Sequence, residues 1–167
     1  MLDWAMAQTG KTEYKPESIS LEELVQNSLE ITAGSSQAKQ IKVFHNLDEK
    51  ICVHADKNMI NTVLSNLVTN AIKYTKRNGK VEISAIKSDG FVKVLVADSG
   101  IGIDPDKLGT LFKITEKKST LGTEKEKGTG LGLILCKDFI DKHGGEIGAE
   151  PRAKGGSTFW FTLPLSI

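Results

Sequence analysis

Asn66, Asn70 and Lys73 stand at i, i+4 and i+7. At about 100° of rotation per helical residue, that spacing puts all three within a sector of about 60°. Asparagine is a weak helix former, because its amide competes for backbone hydrogen bonds. Two of them one turn apart therefore cost helix stability unless they serve something else. An amide oxygen is a neutral hard ligand suited to Mg²⁺, which is held by few protein ligands together with phosphate oxygens. A lysine one turn on meets a phosphate as a point charge. The plain alternative is a solvated polar face.

Asp98 opens a second candidate group, Asp98-Ser99-Gly100-Ile101-Gly102-Ile103. It follows a run in which Val92, Val94 and Val96 alternate with Phe91, Lys93, Leu95 and Ala97. Lys93 marks the wet face, so Asp98 continues the buried valine face. A carboxylate at the mouth of a core needs partners. A ligand amino group is one candidate, and the turn backbone at Gly100 is the other. The third group is Gly128-Thr129-Gly130-Leu131-Gly132-Leu133. A glycine-rich loop entering a helix offers free N–H groups and the positive end of a helix dipole to an anion.

These groups need a frame, and the chain supplies one. With 167 residues it is long enough for one domain with its own core. Lys plus Arg is 22 against 21 Asp plus Glu, so the net charge of +1 leaves no electrostatic case for nucleic-acid binding. No apolar run approaches the ~20 residues of a membrane span, and Met1 to Ala7 lacks the basic and apolar regions of a signal peptide. That opening stretch reads as the end of a helix that begins earlier. Cys52 and Cys136 lack CxxC spacing and read as buried reduced thiols.

An extended piece over 12–15 is expected to stop at Pro16. Ser20-Leu21-Glu22-Glu23 has the form of a capping box and starts a helix to about Gln37, with Leu21, Leu24, Val25, Leu29 and Ile31 as its apolar positions. Strands are expected at 41–45 and 51–54 around a polar turn. Asp56 caps a long helix to about Lys76, whose core stripe is Ile60, Val63, Leu64, Leu67 and Ala71. A hairpin turning at Ser88-Asp89-Gly90 joins strands at 81–86 and 91–97. Seven of the 16 glycines then fall between Asp98 and Gly132, with one short helix expected near 105–108. Lys113 to Lys127 holds five lysines and three glutamates without an apolar stripe, which suits a mobile lid over phosphates. A helix over 131–142 and strands at 146–149 and 157–163 complete the chain. Helices interleaved with hairpins predict a two-layer α/β sandwich. The glycine loop follows a polar stretch rather than a strand, so a Rossmann fold is excluded.

Together, Asn66 to Thr75, Asp98 to Ile103, Leu111-Phe112 and Gly128 to Leu133 resemble, in order and spacing, the N box, first glycine box, F box and second glycine box of sensor histidine kinases. Lys118 to Thr123 and Gly156-Ser157-Thr158-Phe159-Trp160-Phe161 fit the same family. The resemblance implies the Bergerat-type ATP-binding fold: a mixed, largely antiparallel sheet of about five strands packed on about three helices. It implies ATP and Mg²⁺ as cofactors, with Asn70 on Mg²⁺, Asn66 supporting metal or phosphates, and Lys73 on phosphate. Asp98 would accept from the adenine amino group, with Thr158 as its supporting partner. Tyr74, Gly100, Gly102 and Ile103 would line the adenine end. Gly128, Thr129, Gly130, Leu131, Gly132 and Leu133 would wrap the phosphates, and Phe112 would anchor the lid at 113–127.

Residues 1–10 resemble the end of the second helix of the family's dimerisation and phosphoacceptor domain, and 11–167 its catalytic domain. The family's acceptor histidine precedes an acidic residue, whereas His45, His54 and His143 precede Asn46, Ala55 and Gly144. The acceptor is thus expected on a separate domain, with an aspartate of a response-regulator receiver domain next in the relay. The chain alone is expected to be monomeric and inactive in autophosphorylation. The intact kinase is expected to be a homodimer, with this domain cytoplasmic and the whole anchored in a membrane. Gyrase-, Hsp90- and MutL-type ATPases resemble an E-x-x-x-N arrangement in which a glutamate activates water; here that position is Asn66, and an amide is no general base. Such an ATPase, and a protein-serine kinase of the mitochondrial dehydrogenase-kinase type, are the alternatives.

Overall fold

The computed structural model describes residues 13–47, 50–101, 132–152 and 155–166. The expectations for 1–10, the short helix near 105–108, Leu111-Phe112 and the lid at 113–127 lie outside them. The described elements run β1 (Glu17–Ser20), α1 (Leu21–Ala38), β2 (Lys42–Asn46), β3 (Cys52–Ala55), α2 (Lys57–Tyr74), β4 (Lys80–Ser88), β5 (Phe91–Asp98), α3 (Gly132–Lys142), β6 (Ile147–Pro151) and β7 (Ser157–Pro164). Five strands form one sheet in the order β2-β4-β5-β7-β6, and β1 pairs with β3 in a small second sheet. Only β2 and β4 pair in parallel; the other described pairs are antiparallel. This is the expected mixed sheet under three helices.

The sheet has one dry face. Val81 and Ile83 of β4, Val92, Val94 and Val96 of β5, and Phe159, Phe161 and Leu163 of β7 are all buried at alternate positions. Against them lies the α2 stripe of Ile60, Val63, Leu64, Leu67 and Ala71, none more than 1% exposed. Asp56 starts α2 as expected, its Oδ1 accepting from the Met59 N–H at 3.1 Å. The β4–β5 hairpin closes with Ser88 opposite Phe91 and Gly90 at φ 74°.

Several local expectations are corrected. The extended segment lies after Pro16, not before it, because β1 is set by pairing with β3. Ser20 makes no side-chain cap. It belongs to that strand ladder, and the Leu21 N–H donates instead to the Ile51 carbonyl at 2.8 Å. Ile31 is 64% exposed. The inner face of α1 is completed by Ser28, Thr32 and Ser36, whose hydroxyls bond back to Val25, Ser28 and Ala33 carbonyls and so enter the core satisfied. Strands β2 and β3 do not pair across their polar turn; each finds a partner in a different sheet. Of the two free thiols only Cys136 is buried, since Cys52 sits on the outward side of β3.

Two helix ends rest on specific chemistry. Helix α1 ends at Lys39 with Gln40 in the left-handed region at φ 58°, while the Gln40 N–H reaches the Gln37 carbonyl and the Ile41 N–H the Ser36 carbonyl. This is a Schellman close without its usual glycine. At the start of α2, the Asp56 N–H donates to His143 Nε2 at 3.0 Å. The ring proton therefore sits on Nδ1, which donates to the Phe139 carbonyl at 2.7 Å. Burial holds His143 below its ordinary pKa of 6.5, against the opposing pull of the Phe139 bond and the Asp56 charge.

Two outcomes are expected. Gln40→Gly removes the left-handed strain and should raise stability by about 1 kcal/mol, read as a higher urea midpoint with unchanged slope. An unchanged midpoint would deny the strain. Because folded His143 resists protonation, the unfolded chain takes up the proton first as pH falls below 6.5. Stability should therefore decline below that pH, and His143→Gln should flatten the decline; an equal fall of the urea midpoint with pH in both proteins would contradict this.

Candidate functional site

Helix α2 and the end of β5 meet at one corner of the sandwich. Asn66 and Asn70 are half-buried on the flank of α2 beside the core stripe, and Lys73 and Tyr74 form its last turn. The Lys73 ammonium lies 5.0 Å from the centre of the Tyr74 ring, within cation–π range. The chain leaving β5 packs directly on this turn. The Ile101 N–H donates to the Tyr74 carbonyl at 3.1 Å. A Cβ on Gly100 would stand 2.1 Å from the same oxygen, so only glycine permits the contact.

Asp98 is the chemical centre of the corner. It is 1% exposed. Its Oδ1 accepts from the Gly100 N–H at 2.9 Å and the Ser157 N–H at 3.2 Å, and its Oδ2 accepts from the Ser157 hydroxyl at 2.8 Å. Burial pushes the carboxyl above its ordinary pKa; these three bonds and the Arg152 charge work the other way. The turn reading of Asp98 holds: it closes the turn at Gly100, and Ser157 supplies its other donors. A carboxylate oxygen can accept two hydrogen bonds, and among the described residues Oδ2 has one donor.

The third group enters through Gly132, the first residue of α3. A Cβ there would lie 3.2 Å from Asn66 Oδ1. The Asn66 amide also bonds the Cys136 side chain, a thiol that burial pushes up to about 12 and so keeps neutral. The head of α3 is therefore packed on the asparagine row of α2.

The structure thus assembles Asn66, Asn70, Lys73, Tyr74, Asp98, Gly100 and Gly132 from three separate stretches of chain. Gly102, Ile103, Gly128, Thr129, Gly130 and Leu131 lie outside the described residues. The Leu133 side chain is partly buried and packs against the hydrophobic core. Thr158 is corrected. It pairs with Ala97, one register position beyond Asp98, and so projects from the opposite sheet face. Ser157 stands opposite Asp98 and makes the bonds expected of Thr158. Gly156 precedes it at φ 89°, where a Cβ would meet the Asp98 carbonyl at 2.0 Å, and the Arg152 guanidinium donates to that carbonyl at 2.8 Å. The signal for Ser157 was present in the alternation, since it shares a face with Phe159 and Phe161.

A nucleotide fits this chemistry. Gly100 and Gly156 bring backbone to the edge of a buried acceptor, and an amide–ammonium row runs from it along α2. Among the described residues no cluster of three or more His, Cys, Asp or Glu could hold a metal by itself. A metal here would rest on amide oxygen and on the ligand's own oxygens, which suits Mg²⁺. No described helix is long and apolar enough to cross a membrane.

Comparison with known proteins agrees with this geometry. A family model described as histidine kinase-, DNA gyrase B-, and HSP90-like ATPase matches residues 55–167. The non-motile and phage-resistance protein of Caulobacter vibrioides is 34% identical over 169 residues, covering 99% of this chain and 20% of that protein. The chain therefore spans about a fifth of that relative's length. The catalytic domain of histidine kinase ThkA matches with a TM-score of 0.77 at 33% identity, over 92% of this chain and 96% of that one. ThkA in complex with the response regulator TrrA matches at 0.79 and 28% identity, over 99% and 47%. Full-length ShkA in complex with AMPPNP matches at 0.81 and 26% identity, over 99% and 34%. With two thirds of its length matched by the family model and the fold shared with these kinases, the chain belongs to the histidine kinase-, DNA gyrase B- and HSP90-like ATPase family.

Proposed function

We propose that this chain is the catalytic domain of a sensor histidine kinase, which binds Mg-ATP and transfers the γ-phosphoryl group to a histidine on a separate dimerisation domain. The observation that carries the proposal is the buried Asp98 acceptor facing a helix whose polar row is Asn66, Asn70 and Lys73. In this reading Asp98 takes the adenine amino group, and the ring of Tyr74 lines the base. Lys73 meets the phosphates. The Asn70 amide oxygen is the Mg²⁺ ligand, with Asn66 behind it; the metal would neutralise phosphate charge as the transfer proceeds. Residues 113–127 would close over the phosphates. Residues 1–10 would lead into the dimerisation domain of a homodimeric, membrane-anchored kinase, and the phosphoryl group would pass on to a response-regulator aspartate.

Helix α2 supports a kinase over a water-using ATPase. No residue from Lys57 to Tyr74 is acidic, so α2 offers no general base to an attacking water. A neutral imidazole is already a nucleophile and needs only to be brought in line with the γ-phosphate. Phosphoryl transfer asks the protein mainly for positioning and charge stabilisation. None of the three histidines supplies that nucleophile here: His143 is buried with both ring nitrogens bonded, and His45 and His54 lie on β2 and β3.

The roles of Asp98 and Asn70 should separate. Asp98→Asn places a donor where adenine needs an acceptor and should weaken ATP by about 1.5–3 kcal/mol, bringing ATP and GTP affinities together. Asn70→Ala should keep the preference for ATP and lose its Mg²⁺ dependence. Calorimetry in which both variants shift both properties alike would refute the assignment.

The transfer itself is tested by mixing this chain, labelled ATP and a domain carrying an acceptor histidine. Acid-labile label should appear on that domain and increase with its concentration, while the chain alone turns ATP over slowly. Rapid turnover alone would favour the ATPase, and acid-stable label on a partner serine would favour the protein-serine kinase.

A further inference from the structure

The last turn of α2 carries Lys73 and Tyr74, and its four final carbonyls are all accounted for. The Ala71 carbonyl accepts from the Thr75 hydroxyl at 2.7 Å. The Tyr74 carbonyl accepts from the Ile101 N–H at 3.1 Å. The Ile72 carbonyl accepts from the Thr75 N–H at 3.3 Å, and both it and the Lys73 carbonyl also take a donor from outside the site. The ammonium of Lys39, at the end of α1, donates to the Ile72 carbonyl at 2.9 Å and to the Lys73 carbonyl at 3.0 Å. Lys39 is only 4% exposed.

A lysine is rarely taken out of water for a helix end that solvent could satisfy. The ammonium sits where the α2 dipole is negative, so charge and hydrogen bonding act together. Its approach is built by the backbone: the left-handed Gln40 closes α1 so that Lys39 turns inward between the two helices. The neighbouring Arg77 donates to the Ala38 carbonyl at 3.1 Å, so the crossing between the end of α1 and the exit of α2 is tied twice. On its other side, the same turn of α2 is the surface against which Gly100 is packed.

We propose that Lys39 is a positioning residue for nucleotide binding: by gripping the Ile72 and Lys73 carbonyls it fixes the last turn of α2, and with it the placement of Lys73 and Tyr74 against the Asp98–Gly100 turn. Lys39 touches no nucleotide in this account. It lies behind the helix and acts through Lys73, so the inference rests on the nucleotide reading above.

The test compares adenosine and ADP binding by the chain with Lys39→Met, Lys73→Met and the double variant. A merely stabilising lysine would lower the melting temperature and leave the ADP-to-adenosine affinity ratio alone. The positioning role predicts that Lys39→Met cuts that ratio about tenfold, and that it adds little once Lys73 is already Met, because contacts acting through one group are not additive. Amide exchange of the nucleotide-free chain gives a second reading: Thr75 and Ile101, which donate to the Ile72 and Tyr74 carbonyls, should exchange faster in Lys39→Met. If Lys39→Met does not fold, Lys39→Arg is read the same way, since it keeps the charge but moves the donors. An unchanged ADP-to-adenosine ratio in folded protein, or fully additive losses, overturns the role of Lys39 while leaving the nucleotide site standing. Absence of ADP binding by the unmodified chain overturns the nucleotide reading and this inference with it.

Discussion

Burying a carboxylate at the end of a central strand constrains everything around it. Asp98 is 1% exposed, and an ion so placed must be matched by donors or lose its charge. The donors come from two places that only the fold brings together. Gly100 lies two residues on, and Ser157 lies across the β5–β7 ladder. The register of that ladder puts Ser157 rather than its neighbours opposite Asp98. Gly156 keeps the adjoining backbone close enough for the contact, where any side chain would collide with the Asp98 carbonyl. Strand pairing, glycine placement and acceptor chemistry are here one requirement.

The same corner sets the cost of α2. Its inner stripe is apolar and fully buried, while its flank carries asparagines that a helix optimised for stability would replace. That loss is offset at both ends. Asp56 holds the start, with its own N–H tied to His143. The finish is held by Thr75, Lys39 and the Ile101 N–H. A helix anchored at its termini and along one face can carry a polar row that a helix built for stability alone would not.

How far the sequence discloses this depends on the range of the interaction. Period-2 alternation from Phe91 to Asp98 reveals the buried face of β5, because that pattern is local and strong. The Asp56 cap and the α2 stripe are legible for the same reason. What is lost is long-range. Nothing near 41–54 says that β2 pairs with β4 and β3 with β1, so the two strands are legible but their partners are not. The capping-box pattern at Ser20 is real, but strand pairing with Cys52 claims that residue first. Ser28, Thr32 and Ser36 look solvent-facing because their hydroxyls are polar; back-bonding to the helix lets them enter the core, while the apolar Ile31 is left outside. At the site, the resemblance pointed to Thr158, and counting alternate residues from Phe159 would have moved the role to Ser157. Lys39 could not be found by pattern, since its partners are backbone oxygens 33 and 34 residues away.

The central claim is that nucleotide binds at the junction of Asp98 with the polar row of α2. The most direct measurement is an amide chemical-shift titration of this chain with ADP and Mg²⁺. The account predicts saturable shifts concentrated at Asn70, Lys73, Tyr74, Asp98, Gly100 and Ser157, with those from Asn70 and Lys73 reduced when adenosine replaces ADP. Saturable shifts centred elsewhere on the fold, or none at these residues, would contradict it.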